Sequence, residues 1–177
     1  TSERARECEK ADYYATSEPP GSARLAEMLE ESALYSEYLQ RKSGNAMLGL
    51  LIVFGVVFLA IALISIPTLE RETGLLLARV ILALMVFVLS ADVLGAWRLH
   101  RAAADQIKQI RNRLMTADRV GYPMPDVLLA FADYNAAVES APESVPFLYR
   151  IYHKVLEQRW EDYQADRLAA RAQKQSA

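Results

Sequence analysis

The chain has 177 residues, of which 53% are hydrophobic and 24% are charged, and its formal net charge at pH 7 is -2. A charge this close to zero excludes the strongly basic surface with which nucleic-acid-binding proteins neutralise phosphates, so we expect no nucleic-acid partner. Cys8 is the single cysteine and cannot form a disulfide within the chain, which fits a reducing compartment. Because the chain opens on Thr1 rather than Met, we expect that an N-terminal piece or a tag has been removed.

Residues 1–45 form the first predicted region, which consists of helices that lead toward an apolar segment. A short charged helix covers residues 2–16 and ends before Pro19 and Pro20, since proline breaks the backbone hydrogen bonding of a helix interior. Ser22 can then cap a second helix, whose apolar residues recur at the spacing of one helix face. We therefore expect an amphipathic helix on the approach to the apolar segment.

Two long apolar segments follow, at residues 46–69 and 73–97, and no residue between 43 and 69 carries a formal charge. A hydrocarbon core about 30 Å thick needs about 20 apolar helical residues, and both segments reach that length. Lipid offers the backbone no hydrogen-bond partner, so each span must be a helix. The very short acidic link between them predicts a tight antiparallel hairpin. A signal peptide is the alternative for the first segment, but the segment starts too far along the chain and is too long for one.

Basic residues flank this hairpin on one side of the membrane. Arg41 and Lys42 precede the first span, and Arg98 and Arg101 follow the second, whereas the link contains only Arg71. Lys and Arg in short flanking segments keep their side of a membrane protein in the cytoplasm. We therefore expect a multi-pass protein with both termini in the cytoplasm.

Residues 98–177 form the last predicted region, and their periodicity is helical with no alternation typical of a half-buried strand. The helix of the second span continues to about residue 120, where Gly121-Tyr122-Pro123 ends it. Two further helices are predicted at residues 126–141 and 147–173, separated by a proline-containing turn. The predicted fold class is all-α: an integral membrane two-helix hairpin with a cytoplasmic helical bundle.

The sequence contains no arrangement of residues that is typical of an enzyme. His100 and His153 have no Cys or His neighbour at metal-ligand spacing, and no GxSxG elbow, phosphate-binding glycine loop or CxxC pair occurs. Adjacent carboxylates such as Glu161 and Asp162 point to different sides of a helix and cannot act as an acid and base pair. We therefore expect no enzymatic activity and no cofactor or metal.

Two ionisable residues, Arg79 and Asp92, fall within the second predicted span. An ionisable group there costs about 2.5 to 3.5 kcal/mol on insertion scales. We interpret Arg79 as a side chain that snorkels to the outer headgroups. For Asp92 two interpretations stay open: it lines a pore or subunit interface, or it simply lies near the inner boundary of the membrane.

Small residues in the spans are candidates for close helix packing, because they let backbones approach each other in lipid. Gly49 and Gly55 lie on the first span, and Ala91 and Gly95 are spaced to share one face of the second. Together with Asp92 they form the candidate pore or oligomer interface. We expect the chain to form a homo-oligomer in the lipid bilayer.

Basic and aromatic residues beyond the spans form a candidate surface for a signal or a partner. Basic residues on a helix are more often a solvated face, and an aromatic stripe is more often an internal core than a docking face, so both interpretations stay open. The candidate residues are Arg111, Arg113, Tyr149, Arg150, Tyr152 and Trp160.

The layout of the chain resembles the bacterial SMODS- and SLOG-associating transmembrane effector families, known as SLATT and its relatives. The resemblance covers about residues 22–163. It rests on the amphipathic helix from Leu25, the two-span hairpin, the extended helix from Ala102, and a pattern that comprises Tyr134-Asn135, Ala141-Pro142, Val145-Pro146, Leu148-Tyr149-Arg150 and Trp160.

This resemblance implies a membrane effector of a bacterial antiphage, or abortive infection, system. Such an effector would oligomerise and permeabilise the inner (plasma) membrane on a nucleotide or protein signal, so a cyclic nucleotide or a sensor protein is the implied partner. The alternative function is a non-toxic membrane-anchored helical scaffold that binds a cytoplasmic protein.

Overall fold

The computed structural model describes residue 16 and residues 18–65, 71–90 and 92–175. This part of the chain contains five α-helices and no strand, which confirms the all-α prediction. The helices are Ser22–Ser65 (α1), Arg71–Ser90 (α2), Val93–Asp118 (α3), Met124–Ser140 (α4) and Leu148–Gln175 (α5). The predicted helix at residues 2–16 lies outside the described residues except for Thr16, and so do Cys8, Ala91 and residues 66–70, which include the end of the first predicted span and the first residue of the predicted link.

Helix α1 runs through two different environments. It has 44 residues and is therefore about 66 Å long at 1.5 Å per residue. Ala26 and Ala33 in its first half are fully buried, whereas Leu50, Val57 and Leu63 in its second half are exposed. Among the described residues α1 is the one helix that is long and apolar enough to cross a membrane, with a mean hydropathy of 2.4 over its most apolar window.

The main core lies where α3 and α4 pack against the first half of α1. Ile107, Ile110 and Leu114 on α3 are almost completely buried, and Val127 on α4 joins them in the same cluster. The opposing positions on α1 include small residues such as Ala33, which allow the branched side chains of α3 to come close. Burial of each large side chain contributes about 1.5 to 3 kcal/mol, so this core holds three helices together.

Helix α5 packs on the other side of α1 through a smaller cluster. Leu156 and Trp160 are buried against Leu34, and the rings of Tyr152 and Tyr38 meet edge to face with their centroids 5.4 Å apart. Because residue 152 lies beside residue 38 and residue 156 beside residue 34, α5 runs antiparallel to α1. The N-terminal end of α5 therefore lies toward the apolar half of α1.

The predicted second span does not form one continuous helix. Helix α2 ends at Ser90 and α3 begins at Val93, and Asp92 between them adopts a left-handed backbone with φ 45° and ψ 44°. The Asp92 carboxylate accepts a hydrogen bond of 3.0 Å from the backbone N–H of Gly95, so it caps the start of α3. The expectation of an unbroken helix from residue 73 to about residue 120 was therefore wrong, because a new helix starts at this cap.

Gly95 is explained by the same cap. A Cβ atom at this position would overlap the carboxylate of Asp92, so alanine would force that carboxylate away from the Gly95 N–H that it caps. We expect the effect of Gly95→Ala on the free energy of unfolding to be more favourable, by at least about 1 kcal/mol, in an Asp92→Ala background than in the wild-type chain. The reason is that the cap has already been lost in that background. Denaturation of the four chains in detergent micelles measures this coupling.

Asp92→Asn is the matched control for this cycle, since an asparagine side chain can accept the same hydrogen bond. We expect it to unfold close to the wild-type temperature. Strictly additive effects of the two alanine substitutions would contradict the assignment of Asp92 as the cap.

Candidate functional site

A cluster of charged side chains lies inside the bundle between α1, α3 and α5. At its centre is Arg167 on α5, whose Nη1 is 3.0 Å from Oε2 of Glu30 and 3.6 Å from Oε1 of Glu27 on α1. The Nε atom of Arg167 is also 3.3 Å from Oδ2 of Asp118, at the end of α3. The side chain of Glu30 has no exposed surface and that of Arg167 is 11% exposed. One guanidinium therefore links three helices through partners that are largely removed from water.

Two tyrosines complete the hydrogen bonding of Glu30. The hydroxyl of Tyr122 donates to Oε1 at 3.1 Å and that of Tyr163 donates to Oε2 at 3.4 Å. Arg167 also donates to the Tyr122 hydroxyl, and its guanidinium carbon lies 5.4 Å from the centroid of that ring. Both oxygens of this buried carboxylate therefore have donors, as a buried charge requires. We refer to Glu30, Asp118, Tyr122, Tyr163 and Arg167 as the Arg167 cluster.

Burial dominates the electrostatics of the Arg167 cluster. It raises the pKa of Glu30 above its ordinary value of 4.5, although Arg167 and the Tyr122 hydrogen bond act in the opposite direction. Burial and the nearby charge of Glu30 raise the pKa of Tyr163 to about 12 and also raise that of Tyr122. Burial disfavours the charged form of Arg167, but Glu30, Tyr122 and Asp118 outweigh it, and the pKa of the guanidinium is raised. The charged form of Glu30 therefore depends on Arg167.

A second buried cluster lies at the other end of the bundle and holds the loop between α4 and α5. His100 on α3 donates from Nδ1 to Oε1 of Gln40 at 2.5 Å, and Nε2 of Gln40 donates to the backbone oxygen of Pro142 at 3.0 Å. The N–H of Val145 donates to Oγ of Ser43 at 3.1 Å. Burial lowers the pKa of His100, which favours its neutral form. This histidine is thus a structural link between α1, α3 and the loop.

The described residues contain no group of three or more His, Cys, Asp or Glu side chains arranged to hold a metal ion. In the Arg167 cluster the guanidinium and the phenols already occupy the carboxylates. What this arrangement can do is join the last turns of α5 to α1 and α3. The Arg167 cluster therefore links three helices through buried ion pairs and hydrogen bonds.

Of the candidate pore or oligomer interface, Ala91 lies outside the described residues, and the structure brings Asp92 into contact with Gly95 but not with Gly49 or Gly55. Asp92 is exposed and caps α3, and the space beside Gly95 is filled by the Asp92 carboxylate. No atom of the described residues lies within 4 Å of a Cβ built at Gly49 or at Gly55, so none of the described helices packs closely there. Gly95 lies in the first turn of α3, whereas Ala91 lies outside the described residues, so the predicted small-residue pair on one helix face stays a prediction.

The basic members of the candidate signal surface lie in separate places. Nη1 of Arg111 is 3.1 Å from Glu37, which forms an ion pair without the alignment of a good hydrogen bond. Nη2 of Arg113 is 2.5 Å from Asp133, beside an open cleft of about 480 Å³. Arg150 is exposed on α5. Carboxylates already neutralise Arg111 and Arg113, so neither offers an uncompensated positive charge to an anionic signal.

The aromatic members of that surface also separate. Trp160 is buried and stacks on Tyr163 with the centroids 5.5 Å apart, and Tyr152 packs against Tyr38. Tyr149 is 51% exposed and meets the ring of His153 edge to face. Trp160 therefore lies in the smaller core cluster with the partly buried Tyr152 packed against it, whereas Tyr149 lies outside that cluster.

The site residues predicted from sequence did not include Arg167, Glu30 or Tyr122, although the spacing of residues on two helices indicates their position. The buried face of α5 continues from Leu156 and Trp160 to Tyr163 and Arg167 at spacings of three or four residues, and α1 places Glu30 beside the buried Leu29. A charge that continues an apolar stripe on each of two helices, with opposite sign, indicates a buried ion pair.

Comparisons of the chain with protein-family models, with curated proteins and with solved structures found no match.

Removal of the central cation tests the role of the Arg167 cluster. We expect Arg167→Met to lower the free energy of unfolding by about 3 to 5 kcal/mol, because Glu30 then stays buried without its counter-charge. The deficit relative to the wild-type chain should be smaller at pH 5 than at pH 8. Glu30 has a pKa that is raised on folding, so its contribution to stability is present when the pH is below the ordinary pKa of the carboxyl group. That contribution is lost as the pH rises through the pKa of the folded state. Thermal denaturation in detergent over this pH range measures both effects.

Arg41→Met is the matched control, because Arg41 also pairs with two carboxylates, Glu37 and Asp105, but its side chain is 37% exposed. Such a pair contributes about 1 kcal/mol or less. Adding Glu30→Gln to Arg167→Met should recover part of the lost stability. Equal effects of Arg41→Met and Arg167→Met would contradict the central role of the cluster.

Proposed function

We propose that the chain is an integral protein of the bacterial inner membrane, with both termini in the cytoplasm. In this proposal the apolar half of α1 forms the first span, and residues 73–97, which comprise most of α2 and the start of α3, form the second. The observation that carries the proposal is the change of environment along α1, which is buried up to Gly44 and then exposes large apolar side chains from Leu50 to Leu63. Contiguous exposed apolar surface of this extent marks contact with a membrane or another protein.

Helix α2 supports the same arrangement. Its exposed side chains include Leu75, Leu76 and Leu82. Among the described residues it packs along no other helix, so the tight antiparallel hairpin that was predicted from sequence is not seen there. A helix of 20 residues is about 30 Å long, which equals the thickness of the hydrocarbon core. Asp92 then lies near the inner boundary of the membrane, where its position as the α3 cap accounts for a carboxylate.

We further propose that the protein is a membrane effector of an antiphage system, which oligomerises and permeabilises the inner membrane when a nucleotide or protein signal arrives. The support is the continuity of α1 between the Arg167 cluster and the apolar half. Displacement of α5 leaves Glu30 on α1 buried without its cation, so the first half of α1 has to rearrange. A signal that moves α5 therefore acts directly on the helix that enters the membrane.

The assembly state in this proposal is a homo-oligomer within the bilayer. Gly49 and Gly55 have open space around them in the single chain, which allows close approach by a helix of another copy. The resemblance to SLATT effectors and the fastening of α5 by one buried ion pair both favour a protein that stays inactive until it is triggered.

The second candidate function, a non-toxic membrane-anchored scaffold for a cytoplasmic protein, is favoured by the outer face of α4. Met124, Leu128, Phe131 and Val138 are all exposed there, and their spacing places them on one side of the helix. In this role Leu128→Glu should abolish co-purification of the partner and leave membrane insertion unchanged.

Membrane potential in bacteria separates the two functions. We expect induced Arg167→Met chain to depolarise cells without any trigger, because it releases α5, whereas the wild-type chain at equal membrane abundance does not. A potential-sensitive dye, with an immunoblot of the membrane fraction, measures this.

Arg41→Met should leave the potential steady, since it removes only exposed ion pairs. A steady potential and normal growth for the Arg167→Met chain at wild-type abundance would contradict the effector function and favour the scaffold.

A further inference from the structure

The N-terminal end of α5 lies at the level where α1 leaves the bundle. The loop before α5 is fixed there, because Val145 donates to Ser43 and Gln40 donates to Pro142. Leu50, where the exposed apolar surface of α1 begins, is about 10 Å beyond Ser43 along the helix. The headgroup layer on each side of a bilayer is about 5 to 8 Å thick. In the proposed membrane arrangement this end of α5 therefore lies beside the headgroups.

Phe147 stands at this end with its ring directed away from the bundle. It is 73% exposed, and Ile151, one turn further along the outer face of α5, is 66% exposed. Phe147 also has a positive φ of 68°, which is unusual for a bulky residue and costs of the order of 1 to 3 kcal/mol in other proteins. Side chains of a helix lean toward its N-terminal end, so the side chains of this face lean toward the apolar half of α1.

Basic side chains of α3 and α5 lie at the same level along α1 as Phe147. Arg150 is exposed on the first turn of α5. On α3, Arg98 and Arg101 are exposed. This part of α3 lies beside Gly44 of α1, since a Cβ built at Gly44 would be 3.4 Å from Cβ of His100 and 3.6 Å from the backbone oxygen of Trp97. Of the acidic residues described at this end, Glu139 is exposed in the last turn of α4, Glu143 is exposed in the loop, and the carboxylate of Asp92 accepts a hydrogen bond from the Gly95 N–H.

We propose that Phe147, Arg150, Arg98 and Arg101 form a second membrane contact, which docks the N-terminal end of α5 on the headgroups of anionic lipids. The proposal rests on the membrane insertion of α1 proposed above. These residues come from two helices and share a level rather than a helix face, so they fit a plane such as a membrane surface better than the groove of a protein partner. Aromatic and basic side chains are the residues that membrane interfaces favour.

Helix α5 is then held at both ends, by lipid headgroups at Phe147 and by the Arg167 cluster twenty residues further on. Each basic residue near an anionic surface changes the ratio of docked to undocked protein about fivefold. The anionic lipid content of the membrane therefore influences how firmly α5 is held against α1.

A fluorescent label at position 147 tests this contact. The full chain, with Cys8→Ser and Phe147→Cys, is labelled with the fluorophore NBD and reconstituted into vesicles of phosphatidylcholine with or without phosphatidylglycerol. Lipids that contain a quencher near the headgroup then report contact at 147, and lipids that contain a quencher on the acyl chain report insertion at 57. Gln158→Cys, exposed on the same face of α5 but about 16 Å further from Leu50, is the control, and Val57→Cys on the apolar half of α1 reports insertion.

We expect the label at 57 to be quenched in all vesicles, and the label at 147 to be quenched several-fold more than the label at 158 once phosphatidylglycerol is present. Arg98→Gln combined with Arg150→Gln should reduce the docked-to-undocked ratio about 25-fold. Equal quenching at 147 and 158, with quenching at 57 intact, would overturn the second contact and leave the proposed insertion standing. If the lipid quencher reaches the label at 147 and aqueous iodide does not, the result supports docking on the membrane. If neither quencher reaches the label, the result overturns docking and indicates that a second copy of the chain covers this position. Absence of quenching at 57 would overturn the insertion and the docking together.

Discussion

A buried carboxylate on the first helix depends on a guanidinium from the last helix, and the bundle is arranged around that dependence. Glu30 has no exposed surface, and Arg167 reaches it at 3.0 Å from the opposite end of the chain. Such a pair contributes little net stability compared with apolar side chains of the same size, but loss of either partner is costly. It is therefore a poor device for stability alone and an effective one for coupling two helices. The phenols of Tyr122 and Tyr163 strengthen the coupling because they satisfy the remaining lone pairs of Glu30.

The effect of this pair extends beyond the bundle because α1 is continuous. The same 44-residue helix that contains Glu30 also contains the apolar half, and no described break lies between them. Helix α5 runs antiparallel to α1 over the bundle, with the small cluster around Trp160 between its two ends. Any partner that displaces α5 changes the environment of α1 on one whole side. The structure thus contains a continuous helix from the Arg167 cluster to the exposed apolar half of α1, which the proposed effector function requires.

The helices could be predicted from sequence, whereas the contacts between them could not. Proline and glycine around residues 121–123 and 142–146 mark the ends of α3, α4 and α5, and these local signals do not depend on the rest of the chain. The break at Asp92 was missed because uninterrupted apolar sequence fits one helix as well as two, and the left-handed cap is a backbone feature. The Arg167 cluster was missed because its partners are far apart in sequence and each one, taken alone, resembles a charge on a solvated face. Gly95 was interpreted as a site of helix packing because the sequence does not show that the Asp92 carboxylate occupies the space beside it.

In the proposed arrangement, α1 carries the chain from a cytoplasmic bundle into the membrane and the second span returns it to the cytoplasm. The most direct test is cysteine labelling in intact bacteria in a Cys8→Ser background. Glu72→Cys, at the start of α2, should react with a membrane-impermeant maleimide in whole cells. Asp126→Cys, exposed at the start of α4, should react only after lysis. Reaction of both positions in whole cells, or of neither one, would contradict a two-span hairpin with its bundle in the cytoplasm.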